Sequence, residues 1–589
     1  MKNKFTRANN GFIGNDYSLN SISDGIVNLN KANSVLAESY YLSSSDIIFY
    51  TPPQEWRTLP SFDGVTQGFA GVFAIYDSDA NFVTVQMNTS TGNYIVNWGD
   101  GTTGSFADNV IAYKNYSKSF YSGLTSSIVD NSYKTLVIEA YPVSGTMIEI
   151  NLNNPHNQSN FQSQYQYPWL NAQAVGSTCS NFTLTSFKLE QINFIGPNNI
   201  TSNSSRFSGC RNLKKVINWD TSRCTTFHQM FRNCSALIEC PPLDTSSVAS
   251  GTNNFTYMFE LCFSLRRVPL FDTSKATSFE NMFAFCTSLS NIPPFNTSNV
   301  TSFASAFNSC TSLKDLPYMD TSKVTNFSQS LRGSGSLKKL PNWNWSAGTN
   351  FSYPFGNLIS LNEVTNLDTS NGTDLYELFA RVYPLKKVNT LNISKATRFD
   401  AAFYDCYALT NFPNIIRDGS TICSMSSLCN SCDSMETVPS FNTDKVSTWF
   451  GAFNGCLSLS DVGLTFNYPL GQTWAASTVF NNTFSGCRAL RKIGISDVSG
   501  ISGSTYANAY SGMFSTCPTL NEVGLSGISE NFSIQNCSLG STALNDLYGR
   551  LAVVGVSGAG AKTITVSGNW GVASDNPVIA ISKGWTVSG

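Results

Sequence analysis

A leucine returns every 24 residues through the middle of the chain, at Leu265, Leu289, Leu313, Leu337, Leu361, Leu385 and Leu409. Two further markers keep the same phase. One is a polar triplet at Asp272-Thr-Ser, Asn296-Thr-Ser, Asp320-Thr-Ser, Asn344-Trp-Ser, Asp368-Thr-Ser and Asn392-Ile-Ser; the other is an apolar pair such as Met258-Phe259, Met282-Phe283, Ala306-Phe307, Leu378-Phe379 and Ala402-Phe403. A period of this length marks a chain in which each repeat is one structural unit that cannot bury its apolar face alone. Such units are stable only when stacked, so the region is expected to form a solenoid with distinct terminal caps.

Each unit reads as a short strand over residues 265–268, a bend at Pro269, a polar turn at Asp272-Thr-Ser and then at least one helical turn that carries the phenylalanine. The Asp or Asn side chain is expected to accept backbone N–H bonds and cap that turn. Phe283 and Phe307 are expected to fill the interior of their coils. With only 13% of residues charged, a net charge of -2 and 41% hydrophobic residues, the composition suits many short turns better than long amphipathic helices.

The cysteines follow the repeat. Cys210, Cys234, Cys262, Cys286, Cys310, Cys406, Cys432, Cys456, Cys487 and Cys517 each stand three residues before a Leu or Met, and the spacing persists where Ser334, Leu358 or Val382 replaces the cysteine. Residues at one register of a stack point the same way, which suits small buried groups and suits disulfide geometry poorly. Free thiols are therefore expected.

Little in the chain points to catalysis. Its two histidines, His156 and His228, leave few sites for a general base, and it contains neither a Gly-x-Ser-x-Gly elbow with a histidine partner nor a phosphate-cradling Gly-x-x-x-x-Gly-Lys loop. Cys429-Asn-Ser-Cys432 is a lone C-x-x-C pair whose second cysteine already has a repeat role, so zinc is not expected. The expectation is a protein without enzymatic activity, cofactor or metal. The charge balance also argues against a nucleic-acid partner, and no apolar run approaches the length needed for membrane insertion. The basic start, Met1-Lys-Asn-Lys, precedes no apolar h-region, so a classical secretion signal is not expected.

The motif Asp-Thr-Ser-x-x-x-Thr-x-Phe-x-x-x-Phe-x-x-Cys-x-x-Leu resembles the BspA-type leucine-rich repeats of bacterial surface proteins and phage structural proteins, over roughly residues 180–540. That resemblance implies binding or adhesion. Upstream, Tyr94-Ile-Val-Asn-Trp98-Gly99-Asp100-Gly101 followed by Ala112-Tyr-Lys-Asn-Tyr116 resembles the signature of a polycystic-kidney-disease (PKD) type β-sandwich, with Asp100 read as a turn residue bonding its own backbone rather than as a calcium ligand or catalytic carboxylate. The segments Gly25-Ile-Val-Asn-Leu-Asn and Pro53-Gln-Glu-Trp56-Arg-Thr-Leu-Pro60 are similar to amino-terminal parts of structural proteins in marine, cyanophage-like bacteriophages, and Ile579–Gly589 looks like the cap that closes such arrays. The fold expected is an α/β repeat, a leucine-rich-repeat solenoid of 24-residue period preceded by a small all-β PKD-like sandwich. Its parts are a virion-docking arm at 1–61, the sandwich at 62–160, the solenoid at 161–540 and a cap at 541–589.

One register of the repeat offers a candidate binding face. Lys214-Lys215, Arg266-Arg267, Lys338-Lys339, Lys386-Lys387 and Arg491-Lys492 directly follow the repeat leucine in five coils. Stacked on one sheet they would form basic stripes able to meet an anionic surface polysaccharide. Against this, Asp315, Glu363, Glu436 and Asp461 intervene, which leaves a mixed, solvated face as the alternative; Glu363, Asp461 and Glu522 are read as solvated rather than catalytic carboxylates. The functional expectation is a bacteriophage tail or neck fibre, docked to other virion proteins through its arm and presenting the solenoid to a host glycan or protein. A homotrimer is compatible with this reading. A bacterial cell-surface adhesin and a polysaccharide depolymerase are the alternatives.

Overall fold

The computed structural model describes residues 17–23, 26–31, 59–62, 65, 67–78, 81–124, 133–152, 169–176, 181–183, 188–195, 200–201, 204–251, 253–555 and 562–589. The expected docking arm therefore lies largely outside the described residues, Trp56 included; within it β1 (Tyr17–Ser23) pairs antiparallel with β2 (Ile26–Lys31). Two compact units are present, one of residues 1–300 with 310–319 and one of residues 301–309 with 320–589.

In the first unit, β3 (Gln67–Tyr76) is buried at all but its first position because it lies in the middle of a sheet covered on both faces. It pairs antiparallel with β8 (Tyr133–Pro142) on one side and β10 (Trp169–Gly176) on the other, and β8 continues to β5 (Tyr94–Asn97) and β6 (Thr103–Phe106). The facing sheet has β4 (Asn81–Thr89) between β7 (Ile111–Tyr116) and β9 (Met147–Asn151), with β11 (Asn181–Thr183) beyond β9. Alternation along β4 sends Val83, Val85 and Met87 inward to form the sandwich core. Gly71 leaves room for the Trp169 ring; a Cβ there would lie 2.6 Å from it.

This sandwich runs directly into the repeats. β10 pairs parallel with β12 (Gln191–Ile195), and β12 pairs parallel with β13 (Lys215–Ile217), one period on, as Gln191 faces Lys215. The antiparallel sheet thus turns parallel at β10. One consequence is that the edge of the first coils is covered by the sandwich and not left open for pairing with other chains.

The coils follow one plan in each unit. Most of their strands are one to three residues long and each pairs in parallel with the next coil, as Glu239 does with Arg267 in the first unit and Glu363–Val364 with Lys387–Val388 in the second; Lys492–Asp497 and Glu522–Ser526 are longer. At the polar turn the Asp or Asn accepts the N–H of the residue two later, for example Ser274 N–H to Asp272 at 2.8 Å and Ser370 N–H to Asp368 at 2.9 Å. The threonine between them is buried and donates to the next coil: Thr273 Oγ1 to the Asn296 carbonyl at 2.8 Å, Thr369 Oγ1 to that of Asn392 at 2.8 Å. This small ladder explains the Asp-Thr-Ser spelling.

The expected helical turn is not a helix. Tyr257, Phe259 and Leu261 donate their N–H groups to Glu280, Met282 and Ala284 of the next coil, while Met258, Glu260 and Cys262 bond back three residues within their own coil. Alternation of this kind needs left-handed residues four apart, Tyr257 (φ 59°) with Leu261 (φ 64°) in the first unit, Ser305 (53°) with Ser309 (59°) in the second. An α-helix sends every N–H along its own axis; here half of them bond along the stack, which holds successive coils one strand spacing apart. The repeats are accordingly a β-solenoid and not an α/β array. The α-helices among the described residues lie outside the repeats, at α1 (Lys118–Gly123), α2 (Ser541–Arg550) and α3 (Val578–Ile581).

Phenylalanines fill the interior as expected, and Phe283 and Phe307 are fully buried. They stack as ladders: Phe207, Phe231, Phe259 and Phe283 have successive ring centroids 5.6–5.7 Å apart, and Phe355, Phe379 and Phe403 follow at 5.4 and 5.7 Å. The expected cap at 541–589 continues the stack, with Phe532–Ser533, Lys562–Thr565 and Trp585–Ser588 as three parallel strands and α2 burying Leu544, Leu547 and Tyr548. Trp585 is buried there, whereas Trp570 is exposed.

Candidate binding surface

The repeat cysteines are free, buried and already committed. Each thiol points at the carbonyl of a core residue one coil earlier: Cys262 to Phe231 at 3.0 Å, Cys286 to Phe259 at 3.1 Å, Cys406 to Phe379 at 3.2 Å, Cys456 to Cys429 at 3.0 Å and Cys517 to Phe484 at 3.0 Å. Ser334 does the same with its hydroxyl, to Phe307 at 2.7 Å, which explains why serine can stand in this register. Burial pushes the Cys310 and Cys517 thiols up to about 12, so the proton needed for their donation stays in place. Cys432 of the C-x-x-C pair donates to Phe403 at 3.1 Å, and among the described residues no cluster suited to a metal ion occurs.

Two measurements follow from this geometry. Iodoacetamide should leave the repeat cysteines of the native protein unmodified and label them only in denaturant, because a buried protonated thiol is a poor nucleophile. Cys286→Ser should cost little, while Cys286→Ala, which removes the donor to Phe259, should cost about 1 kcal/mol in urea unfolding. Labelling under native conditions would contradict the assignment.

In the sandwich, the Trp98-Gly99-Asp100-Gly101 segment is a turn. Gly99 and Gly101 are left-handed (φ 78° and 85°), and a Cβ on Gly99 would lie 2.2 Å from the Val137 carbonyl oxygen. Asp100 Oδ1 accepts the Thr102 N–H at 3.0 Å, its carboxylate pairs with Lys114, and Tyr116 Oη donates to the Trp98 carbonyl at 2.5 Å. Partial burial disfavours the charged carboxylate, but Lys114 and the two Thr102 donors outweigh it and hold Asp100 below its ordinary value. These bonds occupy Asp100 in the turn role.

The basic doublets divide into two kinds of residue. The second member tends to be neutralised by a carboxylate of the neighbouring coil: Arg267 by Glu239 at 2.6 Å, Lys387 by Glu363 at 3.3 Å and Lys492 by Glu522 at 2.6 Å. Lys214 pairs with Glu190 at 2.7 Å, and Lys215 lies half-buried in β13. Arg266, Lys338, Lys386 and Arg491 are exposed, and no carboxylate among the described residues pairs with them; Lys339 is exposed beside Lys338. Glu363 and Glu522 are thus ladder partners, and Asp461 is exposed. In the second unit Lys338 and Lys386 stand two coils apart, about 10 Å at the usual strand spacing. What remains is Arg266 in the first unit and a sparse set of positive charges in the second.

A second surface was not read from the sequence. In many coils the half-buried positions of the wide turn are small or polar, as in Ala304, Ser305 and Ser309, or in Ser426, Ser427, Asn430 and Ser431. Between those two coils, the turns carry large aromatic and charged groups. The Arg332 guanidinium lies 4.3 Å above the Tyr353 ring, Arg381 donates to Tyr353 Oη at 3.0 Å and faces Glu377 at 3.8 Å, and Arg398 lies 4.3 Å above Tyr376 while reaching Asp374 at 3.2 Å. Tyr353, Glu377 and Arg381 occupy left-handed positions (φ 56°, 52° and 60°), a conformation that the same registers of other coils give to Gln329, Ala401 and Asp405 as well as to Ser305 and Gly333. Holding an L-residue there costs about 1–2 kcal/mol. The first unit has a smaller group of the same kind, with Arg232 paired to Glu260, Tyr257 Oη donating to Glu280 at 3.1 Å and His228 Nδ1 2.7 Å from Thr256 Oγ1; His156 lies outside the described residues. Aligning the sequence by phase shows the individual members of both groups but not the contacts between them.

The fold and these surfaces define a leucine-rich-repeat-like protein, a solenoid of stacked 24-residue coils. Residues 177–316, 253–363 and 312–415 each match the family described as "Mycoplasma protein of unknown function, DUF285", in overlapping copies as a repeat requires. No curated protein matches. Among solved structures, a leucine-rich repeat protein from Eubacterium ventriosum is similar at 13% identity, covering 55% of this chain and 86% of its own, with a TM-score of 0.21. The structure of a TLR13–ssRNA13 complex is similar at 14% identity over 70% of this chain and 68% of that one, TM-score 0.21, and the plant peptide hormone receptor RGFR1 in complex with RGF2 at 10% identity over 67% and 64%, TM-score 0.20.

Proposed function

We propose that this chain is a non-enzymatic recognition scaffold, and that its setting is a bacteriophage virion appendage that presents the solenoid to a host surface. One observation carries the first part. The buried registers keep their residue types from coil to coil, with Phe, Cys and Leu committed to the core, whereas the exposed registers change. A constant frame with a variable surface is how repeat proteins build binding faces. The virion setting, with an arm at 1–61 and a PKD-like spacer, rests on the resemblances of the sequence to phage structural proteins.

On this reading the line through Lys338 and Lys386 meets an anionic surface polysaccharide. The purified full chain should bind alginate at low salt, weaken steeply as salt rises, and lose about tenfold in affinity in the Lys338→Glu/Lys386→Glu variant. Binding that ignores salt and both substitutions would remove that face from consideration. Release of reducing sugar during the assay would instead favour a depolymerase. Mass spectrometry and cryo-EM of purified virions test the setting; finding the chain on a bacterial envelope and absent from particles would replace the fibre by an adhesin.

A further inference from the structure

We propose that the wide turns of residues 353–457 form a docking site for a protein segment that presents a Lys or Arg side chain beside an apolar one. The site is separate from the basic strand register and stands whether or not that register binds a polysaccharide.

The residue that follows the cysteine position is large, apolar and exposed in three successive coils, Ile359 at 59%, Tyr383 at 40% and Tyr407 at 42%; the half-buried Asp433 takes the position in the next coil and Leu457, 41% exposed, in the one after. One coil before Ile359 the same position is Gly335. The Tyr383 and Tyr407 rings stack in parallel, 5.3 Å between centroids and 6° between planes, so that together they present an apolar edge. A line of exposed apolar side chains on successive coils is the kind of surface that soluble proteins keep for a partner.

Charge says which partner. Arg332, Arg381 and Arg398 are already engaged by tyrosine rings, a tyrosine hydroxyl or carboxylates. Asp374, Glu377, Asp400, Asp405 and Asp433 stand against these three cations, leaving the patch negative. Asp405 and Asp433 both lie within electrostatic reach of the exposed Tyr407. An anionic polymer would be repelled. A sugar ring has no free tyrosine face to stack on between Tyr383 and Tyr407, because those faces cover each other. The aliphatic stem of a Lys or Arg can lie along the ring edges and carry its charge to the carboxylates, with an apolar neighbour against Ile359 or Leu457.

The patch is also held ready. Arg332 and Arg381 fix Tyr353 from two sides, and Arg398 fixes Tyr376. Preorganised Tyr and Arg side chains lose little freedom on binding and dominate many protein interfaces.

A random heptapeptide library selected on the full chain tests the proposal. Enriched peptides should carry Lys or Arg next to Leu, Ile or an aromatic residue. A synthetic copy should bind at least tenfold more weakly to the Tyr383→Ser/Tyr407→Ser variant, and Asp433→Asn should weaken it severalfold and reduce its salt dependence. Both tyrosines are surface groups, so the thermal midpoint of the double variant should match the parent, and Asp433→Asn gives an independent reading. No enrichment, enrichment of acidic peptides, or equal binding to both proteins overturns the proposal. So does a neutral oligosaccharide whose binding is lost in the tyrosine variant, since that would make the patch a glycan site.

Discussion

Phe379→Ala is expected to destabilise the second unit by about 3–5 kcal/mol, the usual cost of emptying a buried aromatic position. Phe379 is fully buried between Phe355 at 5.4 Å and Phe403 at 5.7 Å, so one substitution opens a hole in two coil interfaces. In a stack each repeat is held by its neighbours, and losing two interfaces weakens the array locally before it unfolds globally. Hydrogen exchange should therefore rise first in residues 351–409. Tyr318→Ala, at a position 66% exposed, provides the control and should change stability by less than about 0.5 kcal/mol. A urea midpoint for Phe379→Ala within error of the parent would mean that the ring ladder is not what holds these coils together.

The second large effect is expected near the end of the stack. Glu530 is almost completely buried, with one carboxylate oxygen 2.6 Å from Lys562 Nζ and the other accepting the Gly503 N–H at 3.0 Å. Lys562→Met strands the carboxylate, and breaking a buried pair in this way costs about 3–5 kcal/mol. Glu530→Gln added to Lys562→Met should recover much of the loss at neutral pH. No deficit in Lys562→Met, or no recovery on adding Glu530→Gln, would contradict the structure.

Much of the architecture was legible because it repeats. Leu265 and its successors define the coil length, Asp272-Thr-Ser defines the polar turn, and the in-phase cysteines were expected to be inward, parallel and free, as they are. The wide turn was misread as helical because Met258-Phe259 and Met282-Phe283 carry an apolar spacing that suits a helix as well as a turn; the sign of φ at Tyr257 or Glu377 is not written in residue type. Of the basic doublets, the partners of Lys387 and Lys492 were in fact visible one coil earlier or later, at Glu363 and Glu522, once side chains at equal phase are taken as neighbours. The Tyr–Arg patch was harder to see because Arg332, Tyr353, Arg381 and Tyr404 do not share one phase and meet only through their side-chain reach.

From the chain alone came the period, the stacking and the inward positions, since a 24-residue unit with one apolar face has no other way to bury it. Which charges cancel, which remain, and where aromatic and cationic groups gather were decided by the tertiary structure. Coil pitch brings residues 24 or 28 apart into contact, and no local pattern states whether a side chain will then meet a carboxylate, a ring or water.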